Sequence, residues 1–260
     1  MTMAQAFSLH LGLNYVGPAH YTDSNGNGWD GQLFGCENDA RDMAELAQQQ
    51  GFKHSEVALT REVTANFVKR KLLEFADEMQ PDDLFLLTYS GHGGQVTDLD
   101  GDEFKNRDDR DGQDEKWCLY DRQLLDDELN VLWPHFPERA RLLVLSDSCH
   151  SGTVVRDRFY GTTSVSNCDG DGRRFHFMPS TTAKSTERRN HKLYQDVDLQ
   201  VAEKKKQLKG KGVRACVRLI SGCQSDRYSQ DLASCRCAGV AARRRARSWA
   251  NCSSAFLGYC

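Results

Sequence analysis

From Ala6 to Val16 apolar residues alternate with small and polar ones, a period of two that predicts a β-strand. Thr22 to Gly31 breaks the pattern with Gly, Asn and Asp and predicts a loop. A helix follows, which Asn38 or Asp39 would cap and which runs to about Gln50, with Gly51 placed to end it. Between Thr64 and Met79, Phe67, Val68, Leu72 and Phe75 repeat at helical spacing, and Pro81 comes soon after. Leu84 to Tyr89 is a short, nearly unbroken apolar run, the pattern of a strand covered on both faces. Beyond an acidic loop, Asp126 to Trp133 predicts the start of a helix. Arg141 to Leu145 predicts a second covered strand, and Val213 to Ile220 a further one. Residues 156–212 are polar with little periodicity and predict a linker or a large surface insertion. Strand and helix patterns alternate with no internal repeat, which predicts an α/β fold with a mainly parallel central sheet.

Composition changes this picture little. A chain of 260 residues suits one domain, or one domain with an appendage. A hydrophobic fraction of 39% and a mean hydropathy of −0.65 are low for a compact globule and predict a core diluted by long polar loops. The net charge of −3 gives no reason to expect nucleic acid or a membrane as partner. The first residues lack the cationic start of a secretion signal, and no apolar run approaches the ~18 residues a membrane span needs. A cytoplasmic location, with the ten cysteines reduced, is therefore the expectation.

Chemistry concentrates where the two apolar runs end. In open α/β sheets reactive groups gather beyond the carboxyl ends of the strands. The first run ends in Tyr89-Ser90-Gly91-His92-Gly93-Gly94, the second in Ser146-Asp147-Ser148-Cys149-His150-Ser151-Gly152. A thiol needs a nearby base to become thiolate at neutral pH, and an imidazole on the neighbouring strand supplies one. Glycines around the histidine let backbone N–H groups approach a substrate carbonyl, as a tetrahedral oxyanion requires. A strand-end Cys or His taken alone is more often a packed or satisfied residue than a catalyst. It is the pairing, each wrapped in Gly and Ser, that points to chemistry.

These two motifs resemble the active-site motifs of metacaspases and their prokaryotic relatives, the orthocaspases, in the caspase-like peptidase family C14. Three more stretches fall in matching order: Gly12-Leu13-Asn14-Tyr15, Gly35-Cys36-Glu37-Asn38-Asp39-Ala40 and Leu125-Asp126-Asp127-Glu128-Leu129. The resemblance covers about residues 6–155, with an echo at Leu219-Ile220-Ser221-Gly222-Cys223-Gln224. It implies a caspase-like α/β/α sandwich over residues 5–225, with 156–212 as linker or insertion. It also implies a cysteine endopeptidase with Cys149 as nucleophile and His92 as general base, the adjacent His150 pointing elsewhere. Backbone N–H groups of Gly93 and Cys149 would form the oxyanion hole. Asp39, Ser90 and Asp147 match positions lining the specificity pocket, and two carboxylates there would attract Arg or Lys and repel an acidic side chain. A monomer acting on protein or peptide substrates is implied, with no organic cofactor.

Many metacaspases are activated by calcium, and Asp114, Asp126 and Asp127 match three of the expected ligands. A fourth is expected seven residues after the nucleophile, where this chain has Arg156, with Asp157 one place later. Self-processing in the segment 184–211 is a further expectation, with Lys184, Arg188, Arg189, Lys192, Lys204, Lys205, Lys206, Lys209 and Lys211 as acceptable residues before the cut. After about Ser229 the resemblance ends, and residues 226–260 form an atypical basic, Cys-containing tail. A catalytically impaired caspase-like module that binds or regulates partners is the competing reading.

Overall fold

In the computed structural model residues 4–97, 113–148, 174–221 and 230–231 are described. Their centre is a five-stranded, wholly parallel sheet in the order β2-β1-β3-β7-β9. Its strands are β1 (Ala6–Gly12), β2 (His54–Leu59), β3 (Leu84–Ser90), β7 (Arg141–Asp147) and β9 (Cys216–Ser221). A small antiparallel sheet, β4 (Gly93–Thr97), β5 (Gln113–Cys118) and β6 (Gln123–Leu125), grows out of the loop after β3. A two-residue pair joins β8 (Arg174–Phe175) to β10 (Gln230–Asp231). The helices are α1 (Cys36–Gln49), α2 (Ala65–Glu78), α3 (Asp126–Asn130), α4 (Ser180–Arg189) and α5 (His191–Gln207). The α/β class and the parallel sheet expected from the sequence are what the chain adopts.

The period of two along each strand decides which helix covers which face. Phe7, Leu9 and Leu11 of β1 join Phe85, Leu87 and Tyr89 of β3 and Leu142 and Val144 of β7 in the main core. Val68, Leu72 and Phe75 of α2 close that core. The alternate positions are smaller or polar: Ser8, His10 and Gly12 on β1, Thr88 and Ser90 on β3. Against that face packs α1, through Cys36, Ala40, Ala44 and Ala47. The approach is close enough that a Cβ on Gly12 would fall 2.3 Å from the Cys36 carbonyl oxygen. Only glycine fits there.

Several boundaries differ from expectation. β1 stops at Gly12 and not Val16, because the chain leaves the sheet: Val16 N–H donates to the Asp30 carbonyl, and Leu33 N–H to that of Asn14. α1 starts at Cys36, before the predicted caps Asn38 and Asp39, with the Asn14 side chain accepting from the Glu37 N–H. Gly51, with φ at +88°, ends this helix as expected. α3 is a single short turn pair, followed by a 3-10 turn at Trp133–His135.

The larger difference concerns residues 156–212. Within the predicted linker or large surface insertion, where little periodicity is read, Ser180–Arg189 and His191–Gln207 form the helices α4 and α5. Their buried positions, Thr182, Ala183 and Thr186, then Tyr194, Val197 and Val201, form a narrow, partly polar stripe among charged neighbours. A stripe that narrow does not register as apolar periodicity. Among the described residues no helix is long and apolar enough to cross a membrane.

Candidate active site

Ser90 and Asp147 are direct register partners at the ends of β3 and β7. Residues paired in a parallel ladder project to the same face, so both belong to the α1 side of the sheet. Asp39, in the first turn of α1, meets them there: the Ser90 hydroxyl donates to Asp39 Oδ2 at 3.0 Å. The three expected pocket residues are thus brought together by one strand register and one helix.

His92 follows β3 by two residues and is buried, 1% exposed. Its Nε2 lies 2.6 Å from the carbonyl oxygen of Gly31. A carbonyl can only accept, so Nε2 carries the hydrogen and Nδ1 presents its lone pair. Nδ1 is buried with no hydrogen-bond partner among the described residues, a proton acceptor held ready. Burial pushes the His92 pKa down to about 3, against the Gly31 carbonyl bond that favours the charged ring. The imidazole is therefore neutral, the form a general base needs. Trp29 packs on the ring at a centroid distance of 5.0 Å.

A second set of contacts fixes the backbone here. The Tyr89 hydroxyl lies 2.8 Å from the His92 carbonyl and 3.1 Å from that of Cys118, and the Cys118 N–H donates to the former at 2.9 Å. The Tyr89 ring stacks on Trp117 at 4.4 Å, and the Trp117 indole N–H donates to Ser146 Oγ at 3.0 Å. Ser146 Oγ in turn lies 2.8 Å from Ser148 Oγ, one residue before Cys149. Cys149 itself lies outside the described residues, as do His150, Arg156 and Asp157. What the sequence reading missed is Gly31, seen there only as the end of a polar loop.

Gly93, expected to offer its N–H to the oxyanion, is held by the chain on both sides. Its N–H donates to the His176 carbonyl at 3.0 Å, and its own carbonyl accepts from Met178. In this arrangement the Gly93 N–H is engaged by the chain itself and is not open to a substrate carbonyl. The His176 ring enters the same neighbourhood, with Nδ1 2.9 Å from the Asp147 carbonyl and 3.8 Å from Asp147 Oδ2. Its Nε2 is 3.9 Å from Cys36 Sγ. Burial opposes charge on His176, but Cys36 and Asp147 together hold its pKa well above the usual histidine value. Burial pushes the Cys36 thiol up.

Of the three expected calcium ligands, Asp126 and Asp127 have described side chains. Asp126 Oδ1 accepts from the Asp127 N–H at 2.8 Å, Asp127 Oδ2 is 2.7 Å from Lys205 Nζ, and Asp114 lies on β5 opposite Val96. Among the described residues no three His, Cys, Asp or Glu side chains converge as a metal site. The Asp114 side chain lies outside the described residues. Of the basic residues expected as self-processing points, Lys184, Arg188, Arg189, Lys192, Lys204, Lys205 and Lys206 lie within α4 and α5. A peptidase binds its substrate extended, which leaves Lys209 and Lys211, beyond the end of α5.

Residues 8–157 match the family model of the metacaspase, peptidase C14 domain. Metacaspase-1 of Schizosaccharomyces pombe is 32% identical over 173 residues, 61% of this chain and 37% of that protein. Metacaspase-1 of Pyricularia oryzae is 33% identical over 172 residues, 60% of this chain and 39% of that protein. The chain therefore matches less than half the length of these curated relatives. The crystal structure of protein GSU0716 from Geobacter sulfurreducens superposes with a TM-score of 0.70 at 38% identity, covering 95% of this chain and 82% of that one.

Proposed function

The chain belongs to the metacaspase family of C14 peptidases, and on that premise we propose that it is a cysteine endopeptidase that cleaves after Arg or Lys. The observation that carries the reading is His92, locked through Nε2 on the Gly31 carbonyl so that Nδ1 is the basic nitrogen. Cys149 would be the nucleophile, two positions past Asp147 as His92 is two past Ser90. His92 takes the thiol proton, the thiolate attacks the scissile carbonyl, and the same imidazole returns the proton to the leaving amine. Asp39 and Asp147 favour a cationic side chain before the cut and disfavour an acidic one. Calcium activation and self-processing at Lys209 or Lys211 belong to the same proposal. So do a cytoplasmic location and a monomeric state. The engaged Gly93 N–H favours a second reading, a catalytically impaired module that binds partners.

One experiment separates these. Arg-, Lys- and Asp-ended fluorogenic peptides are offered to wild type and Cys149→Ala, with calcium and after EDTA. Hydrolysis of Arg and Lys peptides by wild type alone supports the peptidase. Cleavage confined to Asp peptides overturns the specificity, and an inert but folded wild type favours the binding module. An unchanged rate after EDTA removes calcium.

A further inference from the structure

We infer that residues Arg174–Phe177 lie in the peptide-binding cleft as a tethered substrate mimic, with His176 filling the pocket meant for Arg or Lys. This rests on the assignment of Asp39, Ser90 and Asp147 as that pocket.

Three independent contacts place the segment. First, its backbone pairs as a bound peptide would. Arg174 and Phe175 run antiparallel to Gln230 and Asp231, and Phe177 bridges Gly93. Adding a strand to an exposed edge is a common way for a domain to hold an extended peptide. Second, the His176 carbonyl accepts from the Gly93 N–H at 3.0 Å. That is the donor expected to receive the oxygen of the scissile carbonyl. Third, the His176 side chain, 1% exposed, sits on Cys36 Sγ and on both the carbonyl and carboxylate of Asp147. Cys36 and Asp39 are one turn apart on α1, and Asp39 accepts from Ser90. The imidazole thus lies against the groups that would draw in a guanidinium.

Arg174 anchors the mimic upstream. It donates to the Gln32 carbonyl and lies over the Phe34 ring, 4.6 Å from its centroid. Gln32 directly follows Gly31, so the anchor and the orientation of His92 share one loop. A segment tethered this way competes at an effective concentration of order millimolar. A peptide substrate gains the pocket only in the fraction of molecules from which His176 has withdrawn.

The test uses the full chain carrying Cys149→Ala, so that nothing is hydrolysed, with and without His176→Ala. Binding of a fluorescein-labelled Arg-ended peptide is followed by anisotropy. The mimic predicts that His176→Ala tightens binding by about tenfold or more, since the competing state is removed. Equal or weaker binding, or binding by neither protein, overturns it and makes His176 part of the pocket wall. Should His176→Ala fail to fold, the Cys149→Ala chain is digested with thermolysin, which cuts before Phe175 and Phe177. Saturating acetyl-arginine amide should accelerate those cuts, and no acceleration overturns the inference. The peptidase reading fails separately: tight binding by the double variant beside an inert wild type would leave the mimic standing and remove the activity.

Discussion

Gly31 and His92 are matched to each other: the glycine holds φ at +52°, and its carbonyl oxygen lies 2.6 Å from the histidine's Nε2. A Cβ at this position would fall 2.7 Å from that nitrogen and 2.6 Å from the Trp29 ring. The left-handed conformation and the close approach both demand glycine. Gly31→Ala should therefore cost about 1–3 kcal/mol of backbone strain. By tilting the imidazole it should also lower kcat/KM on Arg peptides by roughly 10²-fold. Gly26, at φ +83° with open space around it, is the control, since Gly26→Ala shares the strain but not the contact. Equal loss of activity in the two variants would show that the carbonyl does not orient His92.

Two buried histidines make the fold acid-sensitive. Burial lowers His10 to about 4 and His92 to about 3. Unfolding returns both to near 6.5, so below that pH the unfolded chain takes up protons that the folded chain refuses. The contribution of these two is whole above pH 6.5 and falls as pH drops, by up to ~1.4 kcal/mol per pH unit for each group. His176 acts in the opposite sense, because its pKa is raised: its contribution is whole below pH 6.5 and is lost as pH climbs through its folded value. Urea unfolding between pH 7 and pH 4.5 reads the slope. His10 bonds Thr88 Oγ1 through Nδ1 at 2.9 Å and leaves Nε2 without a partner among the described residues. His10→Asn should flatten the slope by one proton's worth, and an unchanged slope would dismiss His10 as a source.

What the sequence made legible was whatever local periodicity encodes. Leu84–Tyr89 and Arg141–Leu145 read as covered strands, and they are register neighbours in the sheet, with their ends aligned at Ser90 and Asp147. That alignment sets Ser90 and Asp147, the described ends of the two motifs, side by side. Gly31 was invisible because its partner lies 61 positions away and its φ is fixed by the loop's path, which no period reports. His176 was hidden for a different reason. Its described neighbours Arg174, Phe175 and Phe177 are ordered by pairing with distant chain, at Gly93 and at Gln230–Asp231. The helices α4 and α5 escaped because long charged side chains outnumber the few residues that dock them.

A buried ion-pair cluster holds the small antiparallel sheet to α2. Arg122 grips Glu128 with two bonds, at 2.6 and 2.7 Å, and Lys69 of α2 reaches the same carboxylate at 2.8 Å. Glu128 is 3% exposed, and despite burial, Arg122 and Lys69 hold its pKa below the usual carboxylate value. Glu128→Ala would leave Arg122 buried without its carboxylate partner, at a cost of about 3–5 kcal/mol. The expected result in urea is a large drop in the unfolding midpoint with an unaltered slope. Replacing Arg122 and Glu128 together with Leu should recover much of the loss. A single variant losing under ~1 kcal/mol would mean that the cluster is hydrated.

Asp39 tests specificity apart from folding. The Ser90 hydroxyl donates to its Oδ2, and the amide oxygen of asparagine would accept that bond equally well. Asp39→Asn therefore keeps the local geometry and removes one negative charge from the pocket. A bond between a guanidinium and a carboxylate contributes about 1.5–3 kcal/mol. The KM for Arg peptides should accordingly rise roughly ten- to a hundredfold while kcat falls much less, and the melting temperature should hardly move. Salt gives a second reading, since the wild-type KM should climb with ionic strength more steeply than the variant's. If KM is unchanged and Arg is still preferred, Asp39 serves α1 and Ser90 alone, and the cation must be recognised by Asp147.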